Sequence, residues 1–331
     1  MSSTEYQVDR RELHFVVNET LQAGKLCEFP DFAEFDEEMF TMIINEASTF
    51  AEQVLAPLNV NGDRQGCRIE NGAVVTPDGF TDAWKQLGEG GWLSMSLPPE
   101  FGGQGIPEVI AVIGKETQLA ANQGFTIGAS LTTGAANLIY TFGSDIQKNE
   151  FCQNMFSGKW AGTMCLTEPH AGSAVGDVIT IATKQEEGHY LIKGTKQFIT
   201  NGDHDMADNI VHLLLARTPN SQQGSKGISL FIVPKKRPDG SQNDITLVSI
   251  EHKMGINGSP TCVLSFGDND DCHGYLLEAE NMGMEQMFKL MNEARLLVGL
   301  QGLAGASAAV QNAWAYANER TQGPSSIHPG K

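Results

Sequence analysis

Two short segments place hydroxyl and aromatic side chains where they could meet a ligand. The first, Met164-Cys165-Leu166-Thr167-Glu168-Pro169-His170-Ala171-Gly172-Ser173, ends an apolar run on Thr167 and turns at once through proline and glycine. The second, Lys196-Gln197-Phe198-Ile199-Thr200-Asn201-Gly202, also closes an apolar run on a threonine before a tight turn. A plain surface turn accounts for the proline and glycine, and Thr and Phe are ordinary strand residues. Two strands that each stop on a threonine would nevertheless present paired hydroxyls to one ligand. With Phe198 two residues before Thr200, the set suits a flat heteroaromatic molecule, with hydroxyls at its polar edge and a ring against its face.

The elements that must hold these residues follow from hydrophobic periodicity. Runs rich in Val, Ile and Thr predict strands over 161–167, 178–184, 190–193, 197–200, 210–216, 228–233, 245–250 and 262–266. No helix-length segment separates them, which disfavours a parallel βαβ sheet and predicts a barrel or sandwich. Before them, apolar positions at helical spacing predict a long helix from 32 to 58 that ends at Pro57, a short helix over 81–87, and a loop over 97–105. Pro107 is placed in the first turn of a helix that runs to 121. A small-residue stretch over 127–142 suits close helix packing, and a further helix over 145–156 is closed by Gly158. From 281 to 320 the helical signal returns, and 296–310 is apolar or small on every face, the pattern of a helix buried all round. Its neighbours must come from further helices or from a second subunit. The expected fold class is α+β and multidomain: an N-terminal helical domain (1–159), a middle antiparallel β-barrel domain (160–280) and the first part of a C-terminal helical bundle (281–331).

Composition narrows the chemistry. The 331 residues are 40% hydrophobic and 19% charged, which is globular rather than disordered. A formal net charge of -18 argues against nucleic acid and anionic membranes as partners. No run is long enough to span a bilayer, and the first residues carry no apolar core of a secretory signal, so a cytoplasmic location is expected. The six cysteines show no CxxC pair and read as reduced thiols, mostly buried. The eight histidines show no metal-ligand spacing, and no metal is expected. Walker A, HExxH, GxGxxG and GxSxG signatures are absent.

MCLTEPHAGSAVGDV followed by YLIKGTKQFITNG resembles the flavin-binding signature of the acyl-CoA dehydrogenase family. LPPEFGGQG, FGSDIQKNEF and MNEARLLVGLQGLAGASAAVQNAWAYANER resemble family segments in the same order, so the resemblance covers nearly the whole chain. DRRELHFVVNETL and the form of the late helix are similar to a larger subgroup that includes 3-methylthiopropionyl-CoA dehydrogenase. The resemblance implies FAD as cofactor, an acyl-CoA substrate dehydrogenated between its α and β carbons, an electron-transferring flavoprotein as acceptor, and a homo-oligomer, dimer or tetramer. Residue by residue, it implies that Met164, Leu166 and Thr167 line the isoalloxazine, that Thr200 sits near the reactive ring nitrogen, and that Phe198 covers the ring where Trp is common. Ser173 would lie where flavin and acyl-CoA meet; as a bare sequence feature it is a turn-capping serine. Arg320 would reach the flavin pyrophosphate of a neighbouring subunit, or else be a solvated cation at a helix C-terminus.

The resemblance implies that Asn292 and Arg295 contact the acyl-CoA. Arg295 stands on the apolar line Phe288, Met291, Val298, Gly302, so it is predicted to be buried and to need an anion, either the CoA moiety or a carboxylate such as Glu293. The base that removes the α-proton is harder to place. Most of the family carries it in a later helix, which puts it beyond Lys331. A minority carries Glu immediately before the matching arginine, where this chain has Ala294. Glu293, one residue earlier and about 100° further round the helix, is the remaining candidate and is more commonly a surface carboxylate. The chain is therefore expected to be a dehydrogenase that lacks most of its C-terminal domain, with a non-catalytic flavin- or acyl-CoA-binding protein and an acyl-CoA oxidase as alternatives.

Overall fold

The computed structural model describes residues 6–323 and Ile327. The N-terminal part is helical: α1 (Arg10–Phe15), α2 (Glu37–Phe50), α3 (Ala56–Gln65), α4 (Phe80–Glu89), α5 (Glu108–Ala121), α6 (Gln123–Phe142), and a broken pair α7 (Asp145–Gln147) and α8 (Gln153–Phe156). Asp36 caps α2 by accepting from the Met39 N–H, Asn122 caps α6 from Phe125, and Ser144 and Gln147 form a reciprocal capping box at α7. The helix predicted to stop at Pro57 instead continues to Gln65. A π turn over Ala51–Leu55 loosens the backbone just upstream, so Pro57 falls in the first turn of α3. There its missing N–H breaks no bond. Pro107 sits one position before α5, at its N-cap.

A small hairpin, β1 (Arg68–Glu70) with β2 (Ala73–Val75), interrupts the helices and was not anticipated by the strand pattern. The β domain comprises β3 (Trp160–Cys165), β4 (Ile181–Lys184), β5 (Tyr190–Thr200), β6 (Asn209–Arg217), β7 (Ile228–Pro234), β8 (Ile245–Ile250), β9 (Thr261–Phe266) and β10 (His273–Leu276). Pairings run β5, β4, β6, β7, β10 and back to β5, which closes a barrel; β9 and β8 extend the sheet from β5. The expected all-antiparallel order fails at β6: the start of β4 runs parallel to it, Ile181 opposite Arg217, and β3 runs parallel to it along its length, Trp160 opposite Asn209. The crossover between β3 and β6 is made of the β4–β5 hairpin rather than a helix, a route the absence of helical segments did not exclude.

β6 and β7 are buried along nearly their whole length because both of their faces are covered. Inside the barrel lie Ile192, Leu214, Phe231, Val233, Leu264 and Phe266. Against the outer face pack α6, α8 and the start of α9 (Gly283–Glu319), through Ala135, Leu138, Met155, Met287 and Leu290. Small residues permit this: a Cβ on Gly162 of β3 would meet Ala135 of α6 and the Met155 tip at under 3 Å. The six cysteines are free thiols, four of them buried.

α9 is one helix of 37 residues, about 55 Å long. Within this chain only part of its apolar surface is covered, and the neighbours expected from further helices or a second subunit are not among the described residues. One side packs on α5 and α6, with Ala304 fully buried, while Leu296, Val298, Leu303, Val310, Trp314 and Tyr316 face outward; Leu296 is 78% exposed and Trp314 74%. Among the described residues nothing lies over that side.

Candidate functional site

The two threonine-bearing segments lie side by side. Thr167 follows the end of β3, and its carbonyl accepts from the Gln197 N–H of β5 at 2.9 Å. Thr167, Thr200, Met164 and Leu166 are half-buried. The two strands predicted at 190–193 and 197–200 are one strand, β5, with a bulge against β9 between Lys196 and Ile199. At that bulge Phe198 takes a left-handed conformation, φ 60°, which costs a bulky residue about 1–2 kcal/mol. The result is an aromatic ring turned out of the barrel and 58% exposed. Strain of this kind concentrates where a side chain is aimed at something. Asn201 follows, also at positive φ, and its amide fills the space over Gly128 of α6. Ser173 is exposed in the loop after Thr167.

Sequence reasoning missed the pair beneath this loop. Glu168 is 3% exposed and Lys196 0%. The carboxylate accepts from Ile179 N–H (2.8 Å), Thr180 N–H (3.0 Å), Thr180 Oγ1 (2.5 Å) and Lys196 Nζ (2.8 Å). Burial alone would raise the Glu168 pKa, but the Lys196 charge and these donors outweigh it and hold the acid below its ordinary value. The available signal was alternation: Tyr190 and Ile192 point inward along β5, and Lys196 falls on the same side. A lysine there requires an anion.

A cavity of about 790 Å³ opens beside Thr200, between the loop at 96–98, α5, α6 and the middle of α9. Leu97, Ile127, Leu131, Leu290 and Leu297 give it apolar walls; Ser130, Thr133, Asn137, Glu108, Lys115 and Glu293 give it polar points. Of its two carboxylates, Glu108 is paired with Lys115 at 3.1 Å. Glu293 accepts from the Asn137 amide at 2.8 Å, and burial raises its pKa above the usual carboxylate range. It is thus a half-buried cavity residue rather than a surface carboxylate. A carboxyl with raised pKa in an apolar cavity is suited to proton transfer.

Arg295 corrects its expectation in the other direction. It is exposed, not buried, donating to Asn292 Oδ1 at 3.0 Å and lying 5.8 Å from the Phe288 ring centre. The apolar line on which it stands is the outward face of α9; Leu290 and Glu293 occupy the face toward α6. Asn292 and Arg295 are therefore open to a ligand, and neither pairs with Glu293. Arg320 is exposed at the C-terminal end of α9, remote in sequence from every other candidate residue.

The donors present fit a flavin: half-buried hydroxyls at two strand ends, a strained exposed aromatic between them, and an adjoining apolar cavity. Among the described residues no group of His, Cys, Asp or Glu is arranged to hold a metal ion, and no helix is long and apolar enough to cross a membrane.

The profile "Acyl-CoA dehydrogenase, N-terminal domain" matches residues 37–159, and "Acyl-CoA dehydrogenase, middle domain" matches 163–269. The chain belongs to the acyl-CoA dehydrogenase family, and its fold is that family's helical N-terminal domain, middle β-barrel and the opening helix of the C-terminal bundle. Among curated proteins it is similar to 3-methylmercaptopropionyl-CoA dehydrogenase of Ruegeria pomeroyi, 40% identical over 96% of this chain and 54% of that one. A chain in a solved structure concerning the electron transferring flavoprotein of Acidaminococcus fermentans is 31% identical, with TM-score 0.74, covering 88% of this chain and 71% of that one. An acyl-CoA dehydrogenase of Bacillus anthracis solved with FAD is 27% identical, TM-score 0.73, covering 89% of this chain and 46% of that one. The chain spans about half the length of the curated relatives it matches.

Proposed function

We propose that this chain holds FAD and an acyl-CoA thioester for oxidation of the acyl group between its α and β carbons. The observation that carries this reading is that Thr200, on the strand that carries Phe198 and is bonded to Thr167, lines a cavity that contains Glu293. Thr167 and Thr200 would bind the polar edge of the isoalloxazine, with Met164 and Leu166 along it, and Phe198 would cover its face. Ser173 would stand where the two ligands meet. Bound FAD would supply the hydride acceptor. The acyl group would enter the cavity along its leucine and isoleucine walls, with Asn292 and Arg295 on the outer face of α9 for the CoA moiety. Glu293, held by Asn137 with its pKa raised, is the carboxyl within the described residues placed to take the α-proton.

The similarity to the Ruegeria pomeroyi protein supports 3-methylmercaptopropionyl-CoA, or another short acyl-CoA, as substrate. The similarity to the Acidaminococcus fermentans chain supports an electron transferring flavoprotein as acceptor. The outward apolar residues of α9 support a homo-oligomer, in which Arg320 would meet a neighbour's flavin.

The test is the visible spectrum of the purified protein, followed by anaerobic addition of 3-methylmercaptopropionyl-CoA. Bleaching that is lost in Glu293→Gln assigns the base to Glu293; bleaching that persists moves it elsewhere. A protein that takes up no flavin overturns the reading.

A further inference from the structure

The Glu168–Lys196 pair is expensive to bury. Desolvating two charges costs several kcal/mol per ion before their attraction is counted, and a methionine could fill the Lys196 slot in β5 without that cost. Its geometry shows what the pair does with its hydrogen bonds. Glu168 reaches across the loop it opens and accepts from Ile179 and Thr180, so its side chain stitches the two ends of the segment that carries Ser173. The backbone of Glu168 meanwhile exchanges hydrogen bonds with Ala171 at 3.0 Å, tightening the first turn. Lys196 donates both to Glu168 and, at 3.0 Å, to the Leu166 carbonyl. Leu166 and Glu168 flank Thr167; Lys196 immediately precedes the bulge that turns Phe198 outward and sets Thr200. One ammonium group therefore joins both threonine-bearing segments from below.

We infer that Glu168 and Lys196 are positioning residues, which fix the spacing of the Thr167 and Thr200 hydroxyls and the outward pose of Phe198 before flavin arrives. This rests on the flavin reading above. Preorganisation of this kind lowers the ordering cost of binding and so appears in ligand affinity rather than only in stability.

The experiment compares FAD binding, read by quenching of flavin fluorescence, in the wild-type chain, in Glu168→Gln, and in the double variant Glu168→Gln with Lys196→Met. All are measured well below their melting temperatures, with circular dichroism confirming the fold. The double variant removes both charges and is expected to fold. Its FAD dissociation constant should rise roughly tenfold or more, and the fine structure of the bound flavin's visible band should blur. Limited proteolysis should open within 169–179. A folded double variant that binds FAD with wild-type affinity and spectrum overturns the inference. Lys196→Arg keeps the charge but puts a larger, planar guanidinium into a fully buried slot, so the two acceptors must shift to meet it; if the double variant does not fold, weakened FAD binding by a folded Lys196→Arg supports the inference and unchanged binding overturns it. Wild-type protein that binds no FAD overturns the flavin reading itself, an outcome distinct from equal binding by wild type and variant.

Discussion

Acidification should unfold this protein through two buried histidines. His212 lies on β6 with its Nδ1 2.8 Å from Thr163 Oγ1 on the parallel strand β3, and its ring edge against Phe266. His204 lies in the turn after Thr200, its Nδ1 accepting from the Met206 N–H. The Nε2 atoms of both rings are buried with no hydrogen-bond partner in the protein. Burial drives both pKa values down, to about 4 for His204 and about 3 for His212, with the Lys235 charge acting in the same direction on both. Asp203 and Asp205 oppose the shift at His204. The unfolded chain binds protons at these histidines near the ordinary value of about 6.5, so between that pH and the folded values the unfolded state binds more. Stability is therefore fully present above pH ~6.5 and falls as the pH drops below it, by about 1.4 kcal/mol per pH unit for each histidine. From pH ~6.5 to ~5 each contributes a loss of about 2 kcal/mol, a window that lies above the titration of most carboxylates. Urea unfolding at closely spaced pH values should show this slope, and His212→Gln should lose about one proton's share of it. A His212→Gln variant with the same pH slope as wild type would refute the assignment of a neutral, buried ring.

Gly128→Ala would set a Cβ 1.7 Å from the Asn201 amide nitrogen; a loss of about 1–3 kcal/mol in chemical denaturation is expected, together with weaker FAD binding, since Asn201 adjoins Thr200. Phe198→Ala should leave the melting temperature nearly unchanged, because the ring is 58% exposed, yet weaken FAD binding severalfold, about 1 kcal/mol of stacking, in the fluorescence titration. Leu303→Lys combined with Trp314→Lys should shift the protein toward smaller species in analytical ultracentrifugation; an unchanged size distribution would remove this face of α9 from any oligomer contact.

Much of the architecture was legible because it rests on periodicity. Strand and helix repeats placed the β domain after Lys159 and the long helix after Asn281. What escaped were local departures from regularity. Pro57 misled because a π turn upstream absorbs it, and no residue pattern announces a π turn. Gly194, Thr195 and Lys196 interrupt the apolar run of β5 and made one strand look like two. The apolar residues on the exposed side of α9 could be read, but not which of them this chain covers, because composition records hydrophobicity and not what lies alongside. At the site, the threonine pair could be found because each ends an apolar run, whereas Glu168 and Lys196 became visible as a pair only when the fold brought residues 28 positions apart into one hydrogen bond. Arg295 and Glu293 exchanged their expected environments, since a helical wheel fixes their relative angle but not which side faces α6.

The parallel pairing of β3 with β6 governs the order in which the protein can assemble. During synthesis the helices through α8 can collapse as they emerge, but β3 leaves the ribosome long before its strand partner, with Asn209 49 residues behind Trp160. Such non-local pairing is slow and leaves an apolar edge open. The nascent strand is not without shelter, however: α6 is already made, Gly162 sits against Ala135, and the Thr132 hydroxyl accepts the Gly162 N–H at 3.0 Å. The small-residue face of α6 thus holds the strand that leads to Thr167 until β6 arrives, acting for the β domain as a built-in chaperone.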